Sequence, residues 1–244
     1  MHPEQRTDWY QELIAVLLAG QPEDWVLRWS NELQTALAGW GGPPPFRLMH
    51  AWQAETVLPV LLEAGIEGAR GTDLLTLQQL HRRAALGLNG RRGEWLAALK
   101  AILPGLYRQA FPYASSHARA HEIALDYATA PANTAMIAEH FGDAKAYADY
   151  YAQLSTEANA IAFADANSRA HARIAAGVYA DNDARLYGEI CAGATRVCAL
   201  AAAGRQDAGA HRSVLKKLAE GLSRCLIESA PAARGYFSGE QHEQ

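Results

Sequence analysis

His117 and His121 stand four residues apart in the stretch His117-Ala-Arg-Ala-His121-Glu122. On a helix both imidazoles lie on one face a turn apart and can chelate a single divalent transition metal, with Glu122 beside them and Asp126 a turn beyond. A catalytic centre of this kind needs a third protein ligand, which His140 or His171 can supply only from another helix. Ala118 stands where a zinc protease carries its glutamate, and the paired Glu-x-x-His motifs of di-iron bundles are missing. If a metal sits here, its chemistry is that of a Lewis acid or an oxygen-activating centre. The competing reading is a polar helix edge.

A second constellation points to recognition rather than catalysis. Tyr147, Tyr150 and Tyr151 recur at helical spacing, and a tyrosine-rich helix face offers contact area at low entropic cost. Further along, Asp165, Arg169, His171 and Arg173 fall within nine residues. Asp165 and Arg169 can pair across one turn, and Arg169 with Arg173 can face an anion or a partner. The plainer account of the same residues is a solvated face with weak ion pairs. His81-Arg82-Arg83 and Arg91-Arg92 flank the Gly87–Gly93 turn and form a local basic patch. It has no interleaved aromatics, so it reads as solubilising residues near helix ends. No G-x-S-x-G elbow, phosphate-binding glycine loop, dinucleotide fingerprint or Cys-His nucleophile context is present.

The elements that must position these residues are all helical. From Asp143 to Ala203 there is no proline and no alternating strand pattern, only alanine, tyrosine and scattered charge. Short side chains let helix backbones approach closely. Asp143 reads as the cap of one extended helix, or two stacked ones, through Ala180. Trp25, Trp29, Leu33 and Leu37 recur every four residues and turn one heavy stripe to a core. Gly39 to Pro45 ends that helix. Pro59 predicts a kink or restart near Leu58, and Pro104 a break in the helix carrying Trp95, Leu99 and Ile102. Thr72 and Asp73 read as the cap of the helix holding Leu74, Leu77 and Leu80.

All six tryptophans lie at or before Trp95, whereas eight of the ten tyrosines lie at or after Tyr113. That shift predicts an all-α bundle of about ten helices in two packed lobes. Residues 1–112 form a Trp/Leu-rich lobe, 113–230 an Ala/Tyr-rich lobe, and 231–244 a frayed tail. The formal net charge of −4 argues against a nucleic-acid or anionic-membrane partner. The apolar run Leu13–Gly20 follows Asp8 and Glu12 where a secretory signal carries positive charge, and it is too short to span a bilayer. A buried first helix and a cytoplasmic location are expected. Cys191, Cys198 and Cys225 read as buried thiols in a reducing compartment.

His117 to Ala128, together with the alanine-tyrosine helices from Ala144 to Ala203, resembles the all-helical immunity proteins of bacterial polymorphic toxin systems. That resemblance covers the second half of the chain. It implies a cytoplasmic antidote that binds a cognate toxin protein and uses no cofactor. Beside this stand two other expectations: the metal-binding reading above, and a small-molecule-binding regulator with an aromatic pocket lined by Trp52, Trp95 or Tyr127.

Overall fold

The computed structural model describes residues 9–110, 113–204 and 208–231, and of 113–116 the backbone alone. The expected frayed tail and the Phe111-Pro112 boundary therefore lie outside the described residues, apart from Pro231. Among the described residues every regular element is helical. In chain order these are α1 (Tyr10–Leu18), α2 (Glu23–Ala38), α3 (Arg47–Trp52), α4 (Leu58–Ala64), α5 (Gly71–Ala85), α6 (Arg92–Ala110) and α7 (Tyr113–Thr129). They continue with α8 (Thr134–Phe141), α9 (Ala144–Asp181), α10 (Ala184–Leu186), α11 (Ala194–Ala203) and α12 (Ala208–Ser229). Two π-helical turns, Gln53–Val57 and Tyr187–Cys191, interrupt the ladder between α3 and α4 and between α10 and α11. No helix among the described residues is long and apolar enough to cross a membrane.

The first π turn is where Pro59 makes itself felt. Proline has no N–H to donate, and its ring crowds the carbonyl four residues earlier. The chain responds by widening one turn: Leu58 N–H bonds to Gln53 O, one residue further back than in an α-helix. The Ala54 carbonyl thereby loses its helical donor. The buried Gln78 side chain on α5 fills the gap, its Nε2 donating to Ala54 O at 2.7 Å. Pro104 does the opposite of what its type predicts, because α6 runs through it unbroken. Gly105 follows, and the Glu67 carbonyl oxygen sits where a Cβ would go. Gln109, one turn on, accepts from Glu67 N–H at 2.8 Å and donates to Ala201 O at 2.8 Å. The loop before α5 and the end of α11 thus brace the proline turn from outside.

Local capping departs from expectation at α5. Its N-cap is Arg70, and Asp73 accepts from the Arg70 guanidinium at 2.9 Å instead of capping the first turn. Asp143 does cap α9, accepting from Ala146 N–H at 2.7 Å. Trp25, Trp29 and Leu33 are buried as their spacing requires, with Leu37 partly buried against them.

One core runs from Trp9 on the threshold of α1 to Leu226 on α12. It joins α1–α6 to the C-terminal half of α9, the second π turn, α11 and α12, so the large rings of the first half and the alanines of the second meet in the same interior. Indole N–H groups pin helices to one another: Trp52 donates to Leu218 O at 3.0 Å and Trp40 to Leu226 O at 3.1 Å. Where α12 crosses the first π turn, Gly221 faces Thr56 so closely that an added Cβ would lie 2.9 Å from the Thr56 Cβ. Alanine is the better helix former by about 1 kcal/mol, yet Gly221→Ala is expected to lower stability by about 2 kcal/mol through overpacking. Thr56→Ala should recover part of that loss. A urea double-mutant cycle measures it, and simple additivity of the two changes would refute the contact.

Candidate functional site

Among the described helices, α7, α8 and the N-terminal half of α9 stand outside that core. At 1.5 Å per residue the 38-residue α9 is about 57 Å long. Its far half packs on α6 and its near half pairs with α7. The pairing surface is built from small side chains: Ala124 and Ala128 on α7, Ala148, Ala152 and Thr156 on α9, mostly four residues apart and all buried. Ile137 of α8 plugs the end. Because alanines occupy the inner faces, larger side chains are turned outward. Nine of the fifteen exposed large apolar residues among those described lie between Ile123 and Phe163. Such a concentration on one appendage marks an interaction surface.

At the tip five rings gather. Tyr127 from the end of α7 lies 6.0 Å from Tyr147 between ring centroids, Phe141 from the end of α8 lies 5.0 Å from Tyr147 and 5.8 Å from Tyr150, and Tyr147 stacks on Tyr151 at 5.9 Å. Tyr150 and Tyr151 remain 55% and 45% exposed. Residues 113–163 also hold six carboxylates against two basic side chains, Arg119 and Lys145, a formal −4 that equals the charge of the entire chain. Lys145 is occupied by Asp149 at 2.7 Å. The tip is thus apolar at its centre and acidic around it.

The remaining sequence candidates are dispersed. His117 and His121 do lie ring against ring, 6.4 Å between centroids, and His121 Nε2 sits 3.1 Å from Asp149 Oδ1. His140, however, turns its Nδ1 to the Met136 carbonyl at 3.0 Å. Among the described residues no three His, Cys, Asp or Glu side chains are placed to hold a metal ion, so His117, His121, Glu122 and His140 do not assemble into one centre. Arg169 and Arg173 are exposed but lie about 27 Å or more along α9 from Tyr151, by helix rise. Asp165 pairs with Arg108 at 2.7 Å, not with Arg169: a guanidinium arriving from α6 wins over the neighbour one turn along. His171 points the other way, its Nδ1 3.3 Å from the Tyr107 hydroxyl, and burial lowers its pKa to about 4. In the basic patch Arg82 and Arg83 are matched by acids. Arg82 bonds Glu55 at 2.9 Å, Arg83 faces Glu94 at 3.8 Å, and His81 is buried rather than solubilising. Trp52 and Trp95 are wholly enclosed while Tyr127 sits on the arm, so these three rings do not line one pocket.

The chemistry that sequence reasoning missed lies at the centre of the core. His50 of α3 and His81 of α5 meet Nδ1 to Nδ1 at 2.9 Å. With Trp95 of α6 and Tyr179 of α9 they form a knot of four rings, every pair between 4.8 and 5.6 Å apart. A hydrogen bond between two such nitrogens needs one Nδ1–H donor and one bare acceptor, so both rings are neutral but opposite tautomers. Burial lowers the pKa of His50 to about 4 and, with His50's own charge, holds His81 well below its usual value. His50 Nε2 is buried without a hydrogen-bond partner among the described residues. One signal was available: His81 follows Leu74 and Leu77 on the buried stripe of α5. With both rings enclosed, the pair is a structural joint and has no route to a substrate. Of the thiols Cys191 is buried and Cys198 and Cys225 are partly buried; burial pushes Cys191 and Cys198 up to about 12 and Cys225 up to about 11, and neutral thiols of this kind are poor nucleophiles.

Comparison of the chain with protein-family models, with curated proteins and with solved structures finds no match in any of the three.

Proposed function

We propose that this chain is a non-catalytic protein-binding module that docks a basic protein partner on the tip of its arm, in the manner of a toxin-neutralising immunity protein. The observation that carries the reading is the coincidence, on one projecting element, of five clustered rings and the whole net negative charge of the chain. Exposed aromatics held rigid by neighbours supply the central contact, and a surrounding field of one sign steers and selects an oppositely charged surface. The buried histidines and thiols give no competing catalytic centre. The resemblance to immunity proteins supports the toxin as the class of partner.

Phe141→Ser combined with Tyr150→Ser is expected to leave the fold intact, since both side chains are exposed, while weakening the partner complex about a hundredfold or more. The test captures partners in parallel with the unaltered chain and with this double variant, then measures the affinity of any protein lost only with the variant. Expected are a basic partner, an affinity that falls with salt, and rescue of growth when the chain is co-expressed with that partner. A partner held equally well by both forms, or one that is acidic, would overturn the reading.

A further inference from the structure

A second place in the fold gathers unmatched charge. Where α1 ends, Gly20 turns the chain with a φ of +71°, and Gln21 Nε2 donates to Arg212 O at 2.9 Å, tying that turn to the first turns of α12. Between α1, α11 and α12 this leaves a cleft of about 480 Å³. Its apolar wall is Val16, Ala19 and the fully buried Leu215; its polar wall is Arg196, His211 and Arg212. Among the described residues neither arginine has a carboxylate within ion-pair distance, whereas Arg70, Arg82, Arg108 and Arg185 all do. The His211 Nε2 atom is buried and has no hydrogen-bond partner among the described residues. Burial, then Arg196 and Arg212, holds the His211 pKa down, which places both guanidinium groups within electrostatic reach of the imidazole.

We infer that this cleft binds a small carboxylic acid with an apolar body: the carboxylate between Arg196, Arg212 and His211, the hydrocarbon against Val16, Ala19 and Leu215. Two guanidinium groups match a carboxylate's geometry, and among the described residues no acid takes up their donors. An imidazole with a free buried nitrogen supplies a further hydrogen bond. The volume falls in the range of small-molecule sites, and mixed lining of this kind fixes one charged end while burying the rest. Two other clefts among the described residues lack this pairing. One, of about 340 Å³ around Tyr107 and His171, has no cation, and one, of about 260 Å³ at Glu32, Glu220 and Glu228, is dominated by acids. The site lies on the core, apart from the arm, and stands independently of the partner reading.

Octanoate is the probe, with 1-octanol as the uncharged control and inorganic phosphate as the anion without an apolar body. Calorimetry on the full chain is expected to show one saturable octanoate site, with octanol and phosphate each at least about tenfold weaker. Arg196→Gln with Arg212→Gln should weaken octanoate by about tenfold or more, and Ala19→Trp, which fills the cleft, should abolish binding. Circular dichroism verifies that both variants are folded. In an NMR titration bound octanoate should raise the His211 pKa, a response that mere surface adsorption would not produce. Absence of a saturable heat, phosphate or octanol binding as tightly as octanoate, or equal affinity in the arginine variant would each refute the site.

Discussion

Between pH 7 and pH 5 the folded chain is expected to lose at least about 4 kcal/mol of stability, enough to consume much of what a domain of this size possesses. The main cause is three imidazoles kept neutral by burial; His211, whose pKa burial also lowers, acts in the same direction. His50 and His171 have folded pKa values of about 4, and His81 is held well below its ordinary value. In the unfolded chain the same rings take up protons as the pH falls through about 6.5. Over that window the unfolded state binds more protons than the folded state, so stability is fully present above pH 6.5 and declines until the pH reaches the folded values near 4. Each ring contributes up to about 1.4 kcal/mol per pH unit, or about 2 kcal/mol by pH 5 for His50 and for His171. His81 acts in the same direction. The carboxylates whose pKa is lowered, Glu63, Asp73 and Asp149, are exposed and titrate at lower pH, so they do not mask the effect. Urea midpoints at pH 7, 6 and 5 provide the measurement; a midpoint that stays constant across that range would mean the rings are not buried neutral.

His50→Leu alone is expected to cost about 3 kcal/mol, and His81→Leu a similar amount, whereas the double substitution should return to within about 1 kcal/mol of the unaltered chain. Each single change leaves one imidazole nitrogen enclosed by Trp95 and Tyr179 without its 2.9 Å partner. Removing both polar rings removes the unmet demand, and leucine roughly preserves the volume. The double variant should also lose two of the acid-sensitive groups, so its urea midpoint should fall less steeply below pH 6.5. Two single costs that simply add in the double variant would show that ring shape, not the imidazole–imidazole hydrogen bond, holds the joint.

How much of this could be read from the residues varies with the range of the interaction responsible. Asp143 was legible as a cap because capping involves neighbours three residues apart, and the Pro59 restart because a missing donor acts within one turn. The alanine-rich helix was legible from its composition, as were Tyr147, Tyr150 and Tyr151 as an outward face. What was not legible depends on partners distant in sequence. His50 and His81 are separated by 31 positions and meet only once α3 packs on α5. Asp165 chose an arginine 57 positions away over one four positions away. Pro104 failed to break α6 because Gln109, one turn on, ties that turn to the distant loop at Glu67 and to the end of α11. The arm itself emerged only when the core was seen to gather helices from both halves of the chain and leave α7, α8 and half of α9 unclaimed.

A single rod, α9, carries both Tyr151 at the tip and Tyr179 in the four-ring knot. The angular phase between those residues is therefore set by residue count alone, with no hinge to correct it. Adding or removing one amino acid along the intervening 27 rotates everything beyond it by about 100°. Length is what this segment must preserve: a change in number would aim the tyrosines away from whatever they now face.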